Sequence, residues 1–337
     1  MFLFDLWKIL EGNNGNKGES GRIKNEQLTV FEHFIAEDEV NNHLGWVCVR
    51  ILGLIGSYRK LGNTEVLVKE ALMEAYSLGA EVNVLRLTDI RVEPCKGCMA
   101  CAFRQEECQI PDGWRVFRDK IAESDAVILG APTYLLGPAG IIKMITDRNI
   151  AFQGGTLSQG RKPGAIISVS GIRRWEPFTL PMLNVFMLTS GLKIIDQVMF
   201  YAQGPGEILL DDSAMERARR MGFNIFEAVG KPAEERVYLG DAGSCPACHQ
   251  NLFLVKNGVL ECALCEAKAE FKSVNNETKL VFDPETLKGH RWSEDALLER
   301  FSSVVLPSGP GFVEERDEIR KRSRKYIDFL SEKAKAP

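Results

Sequence analysis

The 337-residue chain has no apolar run approaching the roughly 18 residues that a membrane-spanning helix needs. It has no excess of positive charge either. Its 42 Lys and Arg stand against 46 Asp and Glu, a net charge of −4 that gives no general pull toward nucleic acid or an anionic membrane. The apolar start, MFLFDLWKIL, lacks a basic leading region, is interrupted by Asp5, and runs into the polar EGNNGNKGESGR, which makes a poor secretory signal. No internal repeat is visible. What remains is ordinary for a soluble globular protein, 45% apolar and 26% charged, with enough length for one substantial core and a satellite module.

The nine cysteines say more than the composition. Eight fall into two tight groups, Cys95, Cys98, Cys101 and Cys108, then Cys245, Cys248, Cys262 and Cys265; Cys48 stands alone. Without a secretory signal, grouped cysteines read as metal ligands in a reducing cytoplasm, not as a disulfide framework. Cys48, just before the first apolar run, reads as a core residue.

Residues 49–55 form a short apolar, β-branched run that ends at Gly56 and Ser57, the pattern of a buried strand and tight turn. From Asn63 or Thr64 the spacing of Leu67, Ala71, Leu72 and Ala75 is helical. Strands are expected over 81–87, 125–130, 165–170 and 193–201, with helices over 113–123, 139–149, 180–189 and 212–229. Five apolar strands alternating with helices imply an α/β, doubly wound, five-stranded parallel sheet covered on both faces. Gly230, Lys231 and Pro232 then break the last helix. The expected organisation is an extension over 1–47, partly helical around 28–36, the α/β domain over 48–231, a cysteine module over 242–270, and a tail over 271–337. In that tail a strand is expected at 279–282, and a charged helix over 315–333 places Ile319, Tyr326, Ile327 and Leu330 on one face, to dock on the body or on a second copy.

The loop between the first strand and first helix reads GSYRKLGNT. Backbone N–H groups, small hydroxyls, Arg59 and the positive end of a helix dipole suit a phosphate there. The loop has neither GxGxxG nor GK[ST], so it suits a monophosphate better than a dinucleotide or a nucleoside triphosphate; an ordinary strand-to-helix turn would look similar. Two later loops, from Ala131 through Pro132, Thr133, Tyr134, Leu135, Leu136 and Gly137, and from Ser168 through Ser170 to Gly171, are expected at the same edge, where doubly wound sheets bind ligands. Tyr134 could cover a flat ring.

With GSYRKLGNT, APTYLLGPAGIIKMITDR and SVSG in this order, the chain resembles the NADPH-dependent FMN reductase-like branch of the flavodoxin superfamily over about 49–229. The resemblance implies a flavodoxin-like fold and FMN, its phosphate on Ser57, Arg59, Asn63 and Thr64. Its ring would lie against Pro132, Thr133, Tyr134, Leu135, Leu136 and Gly137, with Ser170 and Gly171 opposite. Leu135 departs from the aromatic residue that many relatives carry after the tyrosine.

Cys95, Cys98 and Cys101 stand at consecutive x2 intervals, with Cys108 close behind, a spacing that favours an iron–sulfur cluster while leaving zinc or a disulfide open. Placed after the second strand, the loop is expected at the flavin edge. It looks like the iron–sulfur flavoprotein subfamily, which implies a 4Fe–4S cluster on these four cysteines and a homo-oligomer, dimer or tetramer, that brings cluster and flavin together across subunits. The second group is more specific. Two CxxC knuckles flank a hairpin signal, Lys256-Asn257-Gly258, the pattern of a closed zinc ribbon, with iron the less favoured metal. Gly usually follows the second cysteine of such iron knuckles; here His249 and Glu266 do. No basic-aromatic stripe accompanies the module, so docking or structure is expected of it, not nucleic-acid binding. The functional expectation is an FMN-dependent electron-transfer oxidoreductase fed by NAD(P)H or ferredoxin. The alternative is a non-enzymatic redox carrier or sensor that docks a partner through its ribbon. No acid–base residue stands out.

Overall fold

The computed structural model describes residues 48–103, 107–152, 161–241, 243, 245–274 and 277–329. The chain divides into Met1–Cys48 and Val49–Pro337. The extension over 1–47, with its helical periodicity at 28–36, lies outside the described residues, as does Leu330. Cys48 is exposed, not in a core.

The second unit is built on β1 (Arg50–Ile55), β2 (Glu81–Arg86), β3 (Ala126–Tyr134), β5 (Lys162–Ser170) and β6 (Leu192–Tyr201), all parallel in the order β2-β1-β3-β5-β6. Helices α1 (Asn63–Ser77) and α6 (Asp212–Val229) cover one face, where Leu67, Val68, Met221 and Ile225 meet Ile51, Ile128 and Ile167. Helices α3 (Trp114–Glu123), α4 (Gly140–Thr146) and α5 (Thr179–Thr189) cover the other, where Phe117, Ile145 and Phe186 meet Leu54, Leu129 and Ile166. Burial on both faces is why β1, β3 and β5 read as apolar runs, while the edge strand β2, EVNVLR, is largely open and alternates.

The sheet has six strands, one more than expected. The sixth, β4 (Gly137–Pro138), is antiparallel to the end of β3. It forms because β3 runs on to Tyr134 and the chain then reverses through Leu135 (φ 45°) and Leu136 (φ 71°), two left-handed residues that make a tight hairpin. Leucine gives no sequence signal for such a turn, since Asn or Gly would be its usual occupants.

The cysteine module has its own antiparallel sheet, β10-β9-β8-β7, of β7 (Phe253–Lys256), β8 (Val259–Cys262), β9 (Lys268–Val274) and β10 (Glu277–Phe282). Asn257 (φ 51°) and Gly258 (φ 80°) turn the first hairpin as expected. The sheet continues past residue 270, because the strand expected at 279–282 pairs along β9. Helices α7 (Pro284–Lys288), α8 (Glu294–Arg300) and α9 (Leu306–Asp328) follow. Ile319, Tyr326 and Ile327 on α9 are exposed, so this stripe does not dock on the chain's own body. A short helix, α2 (Ala100–Phe103), lies between the first cysteines, and α9 touches it where Gly309 faces Phe103.

Candidate functional site

A cleft of about 390 Å³ opens at the carboxyl ends of the strands, lined from the loops after β1, β3, β5 and β6. Of the expected residues it gathers Ser57, Arg59, Asn63, Thr64, Pro132, Thr133, Tyr134, Leu135, Ser170 and Gly171. Leu136 and Gly137 do not line it. The hairpin carries them round, and Leu136 O instead accepts from Phe178 N at 3.0 Å.

The floor is the start of α1. Gly62 precedes the helix and no side chain caps it, which leaves first-turn N–H groups directed at the cleft, as an anion requires. Asn63 is buried and its side chain is already committed. Its Nδ2 donates to Gly204 O at 2.8 Å and to Ala202 O at 3.4 Å, and its Oδ1 accepts from Ile208 N at 3.2 Å. Asn63 therefore ties the loop after β6 to the turn after β1. Beneath the turn lies Glu65, whose carboxylate accepts from Leu61 N at 2.8 Å and pairs with Lys69 at 2.8 Å and with Arg86. Burial pushes its pKa up, but Lys69, the Leu61 N–H and Arg86 outweigh that and hold it below the usual carboxylate value. Arg86 also donates to Ser57 O at 3.0 Å. This brace, Glu65 with Arg86, had no spacing signal, because its partners are 21 residues apart.

The sides of the cleft include Gly62 and Val169 from the loops already named, and four residues that the sequence did not single out: Ile172, Trp175, Ala202 and Gln203. Trp175, 52% exposed, is the one with a legible signal, an aromatic shortly after SVSG. Its loop is pinned by Tyr201, whose hydroxyl donates to Glu176 at 2.8 Å, while the Arg173 guanidinium sits 4.0 Å from the Tyr201 ring. Thr133 and Thr179 share a hydroxyl hydrogen bond of 3.0 Å that fixes the opposite wall.

The first cysteine loop lies elsewhere. Cys95 and Cys98 are exposed, Cys101 and Cys108 half-buried. Burial raises the Cys101 thiol, and nearby Cys108, Cys95 and Cys98 raise it further. The loop is anchored by Arg148, fully buried, which pairs with Asp112 at 2.6 Å and donates to Glu93 O at 3.3 Å and to Cys108 Sγ at 3.3 Å. The loop follows the carboxyl end of β2, and none of its four cysteines lines the cleft. Arg148 is a further residue that sequence reasoning missed.

The second group is closed. All four sulfurs are buried and lie within 4.8 Å of one another; Cys245 Sγ is 3.4 Å from Cys265 Sγ, and Cys248 Sγ 3.4 Å from Cys262 Sγ. Thiolates about 2.3 Å from one tetrahedral ion would stand a little under 4 Å apart, so these residues fit a single metal. Among the described residues the sulfurs of the first loop form no such set. Gln250 Nε2 donates to Cys262 Sγ at 3.0 Å. The ribbon is docked: Asn184 on α5 donates to Cys248 O at 2.7 Å, Gln197 on β6 to His249 O, and the His249 ring stacks on Tyr238 with centroids 3.7 Å apart.

Fold and cleft together define a flavodoxin-fold flavoprotein class carrying an added cluster of four buried cysteines. The NADPH-dependent FMN reductase family matches residues 49–201. A flavone synthase of Aspergillus candidus is 30% identical, over 65% of this chain and 77% of its own length. An iron–sulfur flavoprotein of Methanocaldococcus jannaschii is 29% identical, over 54% of this chain and 97% of its own. A solved flavone reductase superposes with a TM-score of 0.67 at 24% identity, covering 83% of this chain and 98% of its own, which is a likeness of fold. The chain belongs to the NADPH-dependent FMN reductase-like family of the flavodoxin superfamily. FMN is the cofactor this family supports and oxidoreductase the class of activity. No helix among the described residues is long and apolar enough to cross a membrane.

Proposed function

We propose that the chain is an FMN-dependent electron-transfer oxidoreductase, supplied by NAD(P)H or by ferredoxin, with a 4Fe–4S cluster on Cys95, Cys98, Cys101 and Cys108 and zinc on the ribbon. The observation that carries the reading is the cleft: an uncapped helix start, small hydroxyls and Arg59 at one end, and Pro132, Tyr134, Leu135 and Trp175 at the other. Bound FMN would supply the exchange between two-electron and one-electron steps. The chain's part is placement. The N–H groups of Asn63 and Thr64, the hydroxyls of Ser57 and Thr64, and the Arg59 guanidinium hold a phosphate. Tyr134, Leu135 and Trp175 give a flat ring apolar neighbours and shed water from it. Ser170 and Gly171 leave backbone groups open toward its polar edge.

No cysteine of the first loop lines the cleft, and the reading has a second copy of the chain bring cluster and flavin together. A homo-oligomer is therefore part of the reading. A second reading, a reductase of flat aromatic acceptors, is favoured by the length of the likeness: the flavone-acting relatives extend beyond the family match at 49–201. The two readings share donor and cofactor.

Anaerobic purification followed by FMN, iron, sulfide and zinc assays tests the composition. Addition of NADPH should then bleach the flavin absorbance rapidly, and an added flavone should restore it only under the second reading. Iron–sulfur absorbance with no flavin released on denaturation would end both.

A further inference from the structure

At the end of the sheet remote from the flavin cleft, where β5 and β6 begin, the docked ribbon closes over a cavity of about 200 Å³. Four basic side chains line it, Arg161, Lys193, His249 and His290, with Leu188 and Trp292 beside them. Arg236 stands next to it, donating to Arg161 O at 2.7 Å.

Three of these groups are cations that converge without an ion pair. Arg161 Nη2 donates to Trp292 O at 2.6 Å, Lys193 Nζ to Ala233 O at 2.7 Å, and Arg236 Nε to Ala228 O at 2.9 Å. Carbonyls orient a cation without neutralising it. Among the described residues no carboxylate comes within the 4.0 Å of an ion pair to any of the three. Glu294 and Glu234, both exposed, act on Arg161 and Lys193 only from longer range. Burial lowers the pKa of all three cations, and Arg236 lowers Lys193 further. Arg161 in turn lowers His290 after burial has done so. Partly buried cations are ordinarily paired; two that line one cavity, with a third beside them and no carboxylate partner, suit an anion.

We propose that this cavity is an oxyanion site that takes a phosphate group between Arg161 and Lys193. A guanidinium offers a planar fork of donors to such an ion and an ammonium offers a compact charge. The space suits a phosphate or the phosphate end of a monoester, and the Trp292 and Leu188 side chains give a larger ester an apolar wall. The site is separate from that of the flavin: β5 and β6, with 9 and 10 residues, put roughly 30 Å of strand between the two ends of the sheet. The competing account is that the cations offset the charge of four thiolates on a metal, since Cys248 also lines the cavity.

The experiment titrates inorganic phosphate, and separately adenosine 5′-monophosphate, into metal-loaded, FMN-saturated full-length protein by calorimetry at constant ionic strength. One saturable site is expected, weakened tenfold or more in Lys193→Met and in Arg161→Met, with the metal content unchanged. Tighter binding of phosphate marks the free ion as occupant; tighter binding of the nucleotide marks a phosphate carried on a larger molecule. Lys193 is only half-buried, so its variant decides the matter if Arg161→Met fails to fold. No saturable binding below about 10 mM, binding that survives Lys193→Met, or loss of metal from Lys193→Met without any phosphate effect would overturn the proposal.

Discussion

Asn63→Ala separates two roles for the residue that opens α1. If its side chain held the flavin phosphate, the substitution would weaken FMN and leave riboflavin, which has no phosphate, untouched. The hydrogen bonds argue otherwise, since Nδ2 and Oδ1 are spent on Gly204 O at 2.8 Å and Ile208 N at 3.2 Å. Alanine strands a buried carbonyl and a buried N–H, which costs about 2–3 kcal/mol at roughly 1 to 1.5 kcal/mol per lost bond. That cost falls on the apo fold and is read as a lower urea midpoint with an unchanged slope. The same loop supplies Ala202 and Gln203 to the cleft, so a further ordering cost of about 1.4 kcal/mol on binding would weaken the flavin about tenfold. Quenching of flavin fluorescence on binding measures both ligands. The expected result is an equal loss for FMN and riboflavin; a loss confined to FMN, with apo stability intact, would refute the reasoning.

Arg59→Ala should do the reverse. Its guanidinium is exposed, so FMN should weaken by only about fivefold, an effect that fades with salt, while riboflavin is unchanged. Asp112→Ala leaves the fully buried Arg148 without its carboxylate and should cost about 3 kcal/mol or more, seen in chemical denaturation. Burial raises Asp112, but Arg148 and the N–H groups of Glu93 and Trp114 outweigh it and hold its pKa below the ordinary value. Its stabilisation is therefore complete above about pH 4 and lost as pH falls through the lower folded value, so Asp112→Asn should flatten the acid limb of the stability profile. Cys248→Ser should remove the bound ribbon metal and lower the midpoint of thermal unfolding by about 10 °C, taking roughly 2 °C per kcal/mol for a chain of this size.

The sheet was legible because its evidence is local. The central strands are apolar runs, each helix has its own period, and the order alone implies which loops share an edge. The ribbon was legible because ligand spacing and hairpin residues fall within about 20 positions. What escaped were pairings across long stretches of chain: Glu65 with Arg86, Asn63 with Gly204 and Ile208, Arg148 with Asp112 and Cys108. A buried ion pair leaves no periodicity, and each partner alone reads as a surface charge or a cap. The β4 hairpin escaped for a different reason, since Leu135 and Leu136 adopt left-handed backbone against their own preference. The α9 stripe misled because an apolar period reports a face to be covered and not which surface covers it.

The ribbon's two departures from the usual knuckle explain each other. A CxxC knuckle turns back through a left-handed residue, and His249 (φ 58°) and Glu266 (φ 65°) both adopt that backbone where glycine would do so without strain. Holding a non-glycine residue there costs on the order of 1 kcal/mol, so each side chain must return at least as much. His249 stacks on Tyr238 and hands its carbonyl to Gln197, while Glu266 pairs with Arg291 and, at 2.9 Å, with Arg300. Those partners belong to β6, to the segment after α6, to the turn before α8 and to the last residue of α8. His249 thus fastens the ribbon to the α/β domain, and Glu266 fastens it to the tail that follows. His249→Gly and Glu266→Gly should relieve the turns yet leave the protein no more stable, with metal retained and the ribbon more open to proteolysis. Retained protection against protease together with a gain of about 1 kcal/mol would show that the side chains do not dock the module.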